Sequence, residues 1–256
     1  MSISFDQAAE YYDRTRAVPD SVMARLVPLL MAELRAGEPC LEIGVGTGRI
    51  ALPLVEGGVR VVGVDISREM LRRLVEKMEG PWPAVVLSDA TRLPFAEGTF
   101  GPAIAAHVLH LIRDWRRAVA EVVRVVRPGG VFVASRGGRE RPQWLEALTA
   151  YFFREAGNPP WRPGASSIDD VDAHMRELGI TARALPDVGL ETTVSIEQVI
   201  LNLEAGYWSA CWTIDPEVRM RAAARTRDWA RHEFGDLGTA RHTTWESSTW
   251  HAYELP

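Results

Sequence analysis

Apolar and polar positions alternate in two registers between residues 20 and 136. Short, nearly continuous apolar runs at 39–44, 59–65, 84–88, 102–108 and 130–135 have the length and composition of buried strands. Between them, apolar residues recur three and four apart, as one face of a helix requires. Asp20 is expected to cap a helix carrying Val22, Met23, Leu26, Val27, Leu29 and Leu30. Ser67 is expected to cap another carrying Met70, Leu71, Leu74, Val75 and Met78. A third runs from Asp114 to Val126 and is stopped by Pro128-Gly129-Gly130. Pro53 fits the first crossover helix poorly, since an internal proline removes a hydrogen bond and clashes with the preceding turn. Strands alternating with helices imply right-handed βαβ units around a parallel sheet, a doubly wound α/β domain.

Beyond residue 137 the pattern changes. Seven of the nine tryptophans lie there, and prolines at 142, 159, 160 and 163 punctuate the chain around a helix from Trp144 to Glu155. A helix with Val171, Met175 and Leu178 precedes a strand-like run at 180–185. The stretch 195–234 reads as two helices with a turn at Asp215-Pro216, and Trp245 to Leu255 reads partly as a last strand. The organisation expected is one elaborated domain: N-terminal helices and core over 1–137, then helical cap insertions interleaved with the last two core strands over 138–256.

The chemistry concentrates at Cys40–Ile50, where a strand-like run ends in glycines at alternate positions, Gly44, Gly46 and Gly48. Glycine there lets the backbone turn sharply and lets a ligand approach the main chain, while the following helix points free N–H groups at the same spot. The dinucleotide fingerprint needs a small residue where Arg49 stands, so a dinucleotide oxidoreductase is disfavoured. The spacing present is acid-x-Gly-x-Gly-x-Gly, starting at Glu42. Asp65 ends the second strand beside this loop, in position either to accept from two ribose hydroxyls or to cap the next helix, a task Ser67 already suits. Asp89, at the end of the third strand, can accept from an exocyclic purine amino group or act as an ordinary loop carboxylate.

Together, Glu42-x-Gly44-x-Gly46-x-Gly48, Asp65, Asp89-Ala90, Leu93-Pro94-Phe95, Val108-Leu109-His110-Leu111 and Arg124-Val125-Val126-Arg127-Pro128-Gly129-Gly130 resemble the class I S-adenosylmethionine (SAM)-dependent methyltransferases. The branch with the ubiquinone and menaquinone biosynthetic C-methyltransferases is the most similar, over roughly residues 5–136. This resemblance implies a Rossmann-like, mostly parallel seven-stranded sheet with cap insertions after the fifth and sixth strands. It implies SAM as cofactor, with Gly44, Gly46 and Gly48 beneath the methionine and ribose. Asp65 would hold the ribose, Asp89 and Ala90 the adenine, with Ile66 and Met70 as apolar contacts. Tyr12-Asp13-Arg14-Thr15-Arg16 resembles a family segment that folds over the cofactor, with Arg16 on the methionyl carboxylate and Tyr12 shielding the sulfonium. The family's Phe-Asp at the start of the fourth strand is Phe100-Gly101-Pro102 here, and Pro102 would suit a strand's first residue.

A sulfonium methyl is already activated, so the chain must mainly align nucleophile, methyl and sulfur. His107, also counted among the cofactor contacts, and His110 stand where the methyl group would emerge and are the candidate general bases. Tyr151, Phe152, Phe153, Trp161, Tyr207, Trp208 and Trp212 suit either an apolar or planar small-molecule acceptor or a plain aromatic core.

Bulk properties narrow the options. With 256 residues and 46% hydrophobic content the chain can bury a large core. A net charge of −5 gives no general pull toward nucleic acid or anionic membrane. Met1–Gln7 lacks the basic start and apolar run of a signal peptide, and no stretch is apolar enough to span a bilayer. Cys40 and Cys211 alone make neither a disulfide framework nor a metal cluster, and His174, His232, His242 and His251 show no metal-ligand spacing. The expectation is a metal-free cytoplasmic enzyme methylating a small molecule at oxygen, nitrogen or carbon. The alternatives are a SAM- or S-adenosylhomocysteine-binding protein without turnover, or a methyltransferase acting on RNA or protein.

Overall fold

The computed structural model describes residues 4–34, 37–78, 83–137, 142–157, 163–239 and 241–256. The chain forms two compact units: residues 1–137, 163–188 and 248–256, and residues 138–162 and 189–247.

In the first unit, three helical segments lead the chain: a 3-10 turn at Asp6–Ala8, then α1 (Tyr12–Arg16) and α2 (Asp20–Glu33). The core sheet and its crossovers follow as β1 (Cys40–Ile43), α3 (Ala51–Glu56), β2 (Val61–Asp65), α4 (Arg68–Glu76), β3 (Ala84–Leu87), β4 (Phe100–Ala106), α5 (Trp115–Val125) and β5 (Val126–Gly137). β1 pairs in parallel with β2 and β4, β2 with β3, and β4 with β5. All of β1 and β4 is buried, as strands covered on both faces must be. One face packs Leu41, Ile43, Val64 and Ala103 against Val119 and Val122 of α5. Full burial of one such side chain is worth about 1.5–3 kcal/mol relative to exposure.

The sheet continues through β8 (Arg241–Glu254), antiparallel to β5, to β6 (Ala182–Ala184), giving the order β3-β2-β1-β4-β5-β8-β6. This is the mostly parallel seven-stranded path expected. An eighth strand, β7 (Val188–Ser195), pairs with β8 off that path and had no separate signal in the sequence. In the second unit α6 (Gln143–Glu155), α8 (Ile196–Glu204) and α9 (Pro216–Phe234) enclose a core of Leu148, Phe152, Ile200, Leu203 and Ala223. α7 (Ile168–Glu177) belongs to the first unit and is closed by a capping box between Ser167 and Asp170.

Several local expectations are corrected. Asp20 is the first residue of α2 rather than its cap; Pro19 holds the cap position and makes no side-chain bond. Pro53 causes no kink, because α3 starts at Ala51 and a residue in its first turn needs no backbone donor. Pro102 is the third residue of β4, not its first, and the β4–β5 register shifts between Phe100 and Pro102. Ser67 does cap α4, accepting from Met70 N at 3.2 Å.

Candidate functional site

The C-terminal ends of β1, β2, β3 and β4 converge on one cavity, where ligands of open α/β sheets bind. Gly44 and Gly46 form its floor, and both have positive φ, +69° and +56°. A Cβ on Gly44 would overlap Val108, lying 2.7 Å from that residue's Cβ, whereas one on Gly46 would meet only Met70 Cε at 3.2 Å. Gly48 does not line the cavity. Its Cβ would run into Leu74 and lie 2.9 Å from Leu52 Cγ, so this glycine lets α3 and α4 pack closely behind the loop.

Asp65 stands at the cavity wall with its carboxylate anchored at both oxygens. Oδ2 accepts from Gly46 N at 2.8 Å and Oδ1 from Ser67 N at 2.8 Å. Burial raises its pKa, while the N–H groups of Ser67 and Gly46 pull it back. Each oxygen keeps a further lone pair, so the group can still accept a pair of vicinal hydroxyls. Asp89 also lines the cavity; its Oδ1 accepts from Thr91 N and Oγ1, both at 2.9 Å. Ile66, Met70 and Ala90 add apolar wall.

His107 follows β4 and carries the one non-glycine positive φ among the described residues, +52°. A side chain in that conformation costs about 1–3 kcal/mol and persists only where the surroundings impose it. Here the His107 N–H donates to Ser135 O at 3.3 Å and Oγ at 3.2 Å, turning the imidazole into the cavity wall. Burial first, then the positive charges of Arg49, His110, Arg136 and Arg16, hold its pKa well below the usual histidine value. The ring therefore stays in its neutral form. His110 lies outside the lining, in a 3-10 turn (Leu109–Leu111), while its neighbours Val108, Leu111 and Ile112 are part of it.

Tyr12 and Phe5 meet edge to face, centroids 5.7 Å apart, and both line the cavity. Two aspartates seat the segment that carries them. Asp6 accepts from Ser67 Oγ at 2.5 Å and Glu69 N at 3.1 Å, and Asp13 accepts from Thr47 Oγ1 at 2.5 Å and pairs with Lys77, the chain's sole lysine, at 2.8 Å. The Ser67 bond holds Asp6 below its ordinary pKa. Arg16 is outside the lining; its carbonyl accepts from Arg49 Nη1 at 3.2 Å. Glu42 is also outside it, 2% exposed behind the glycine floor.

Four of the expected residues thus stand behind or beside the cavity: Glu42, Gly48, Arg16 and His110. Sequence reasoning missed Phe5, Val64, Ser88, Ala106, Val108, Leu111 and Ile112. The last three were legible as apolar positions three and four apart immediately after a strand. Phe5 had no such signal, because only the bonds of Asp6 and Asp13 bring it to the site. Several of the aromatic residues expected to face an acceptor or form core serve the core of the second unit. Phe152 and Phe153 lie in its core, Tyr151 stacks on Trp229 at 4.4 Å, and Trp212 donates to Gly206 O at 2.9 Å. Trp161 lies outside the described residues.

Comparison with known proteins agrees with this geometry. Residues 41–134 match the family described as Methyltransferase domain. A demethylmenaquinone methyltransferase of Streptomyces avermitilis is 32% identical over 178 residues, 68% of this chain and 75% of that protein. One from Beutenbergia cavernae is 35% identical over 173 residues, 66% and 70% respectively. Among solved structures, the YcgJ protein of Bacillus subtilis superposes with a TM-score of 0.62 at 19% identity, covering 93% of this chain and 99% of that one, which shows a shared fold. The chain belongs to the class I S-adenosylmethionine-dependent methyltransferases, in the branch that includes the demethylmenaquinone methyltransferases.

Proposed function

We propose that the cavity binds SAM with its methionyl end over Gly44 and Gly46, and that the enzyme passes the methyl group to a small, apolar, planar acceptor. When bound, the cofactor supplies a methyl group already activated by the sulfonium. Asp65 accepts from the ribose hydroxyls, Asp89 and Ala90 meet the amino edge of the adenine, and Ile66 and Met70 cover its faces. Tyr12 shields the sulfonium side and Arg16 neutralises the methionyl carboxylate. His107 or His110 receives the acceptor's proton, which a neutral imidazole can do.

The observation that carries the reading is the fixed carboxylate of Asp65 between Gly46 N and Ser67 N on the wall of the cavity. Its geometry suits vicinal hydroxyls and needs no rearrangement to receive them. At Gly46, which lines the cavity, the missing side chain leaves room for a ligand at the main chain. The relatives' substrate, demethylmenaquinone, supports a quinone-type ring as the acceptor class. The net charge of −5 supports a small molecule over nucleic acid. Two free, buried cysteines and the absence, among the described residues, of a helix long and apolar enough to cross a membrane support a cytoplasmic setting. The domain organisation proposed is a core to residue 137 with insertions interleaved with the last strands from 138.

Calorimetry with SAM and labelled-methyl transfer to reduced quinones test this reading. Asp65→Ala is expected to weaken SAM binding about 100-fold, the loss of two hydrogen bonds to a charged group. Unchanged affinity in that variant would remove Asp65 from the site, and no transfer to any quinol would remove the acceptor class.

A further inference from the structure

Residues 163–165 lie along the turn that supplies Leu111 and Ile112 to the cavity wall. Gly164 N donates to His110 O at 3.1 Å, and Ala165 N donates to Leu109 O at 3.2 Å. So close an approach leaves no room for a side chain. A Cβ on Gly164 would overlap the carbonyl oxygen of Leu109 and lie 2.7 Å from that of Ile112. Gly164 is not among the glycines with positive φ, so space alone demands glycine here.

The two sides of this contact differ in how far they can yield. Behind Gly164, Ala165 is 2% exposed within the core, and Asp170 accepts from Ser166 N at 2.7 Å and from Ser167 N at 3.1 Å. α7 is in turn tied to β8, where Asp172 accepts from the Tyr253 hydroxyl at 2.7 Å and meets His251 Nδ1 at 2.9 Å. Within the turn, Leu111 N donates to Val108 O at 2.8 Å and Ile112 N to Leu109 O at 3.4 Å, while Leu111 and Ile112 border the cavity. A close-packed interior resists displacement more than a wall beside open volume does.

We propose that Gly164 is a positioning residue for methyl transfer: its bare backbone lets the turn sit back from the cavity and so sets the width open to the cofactor beside Leu111 and Ile112. This rests on the cofactor placement proposed above. A side chain at position 164 drives the turn inward and narrows the site, although Gly164 itself is outside the cavity lining.

Calorimetry with S-adenosylhomocysteine on the wild type, Gly164→Ala, Leu111→Ala and the double variant tests this. Gly164→Ala is expected to bind about tenfold more weakly, within the ordinary cost of overpacking. Leu111→Ala alone should also weaken binding, by removing wall contact. In the Gly164→Ala chain the same truncation should instead restore most of the lost affinity, because it gives the displaced turn room. A loss of stability alone predicts no such reversal. Wild-type affinity in folded Gly164→Ala, or additive losses in the double variant, overturns the proposal. If Gly164→Ala does not fold, hydrogen exchange of the wild type decides: S-adenosylhomocysteine should slow exchange of the Gly164 and Ala165 amides, and unchanged rates overturn the proposal. A wild type that binds no S-adenosylhomocysteine overturns the cofactor placement, and this proposal with it.

Discussion

The carboxylate of Glu38 forks onto the guanidinium of Arg127, with Nη2 2.6 Å from Oε1 and 2.9 Å from Oε2. It does so in the space that Gly101 leaves open: a Cβ at residue 101 would lie 2.8 Å from Glu38 Cβ and overlap its carboxylate. The family's usual aspartate at this point of the fourth strand is absent from the chain, and an acid from the segment before β1 occupies its surroundings.

Gly101→Ala is therefore expected to destabilise the fold by about 1–3 kcal/mol, the usual cost of overpacking. Glu38→Ala in the same chain should recover part of that loss. Thermal unfolding of the two single variants and the double variant checks this; additive losses would show that residue 101 and Glu38 do not compete for space.

The glycines of the loop should separate by readout. Gly48→Ala, at φ +83° and pressed on Leu74 and Leu52, should lower the melting temperature strongly. Gly46→Ala, whose Cβ meets only Met70 Cε, should lose more SAM affinity than stability. Calorimetry and thermal unfolding of the pair measure both; Gly48→Ala with normal stability would contradict the packing role.

His110→Ala should lower turnover about 100-fold, the scale of general-base catalysis, with SAM affinity near wild type. Equal turnover on the same acceptor would rule His110 out as the base and leave His107.

Glu42 makes stability depend on pH. Unfolded, it loses its proton near its ordinary value of 4.5; folded, it keeps the proton up to about 8. Between those values the folded state binds more protons, so stability falls as pH rises, by on the order of a few kcal/mol across the window. Glu42→Gln should remove that component and melt above wild type at pH 8 and higher. Parallel melting curves of the two proteins from pH 5 to 8.5 would contradict the assignment.

The chain's periodicity alone determined the five parallel strands, their crossover helices, the cap at Ser67, the start of a helix at Asp114 and the glycine loop. Apolar spacing and cap chemistry act over a few residues and are written in consecutive positions. Asp65 and Asp89 were legible for the same reason, since each ends a recognisable strand and ligands gather at such ends. The tertiary structure decided what depends on residues far apart. It separated Gly44 and Gly46, which face the cavity, from Gly48, which faces Leu74. It brought Asp6 to Ser67 and Asp13 to Thr47, 61 and 34 residues away, and so carried Phe5 and Tyr12 to the site. It also filled the gap at Gly101 with Glu38, because an open volume beside a guanidinium attracts whichever carboxylate the fold brings within reach.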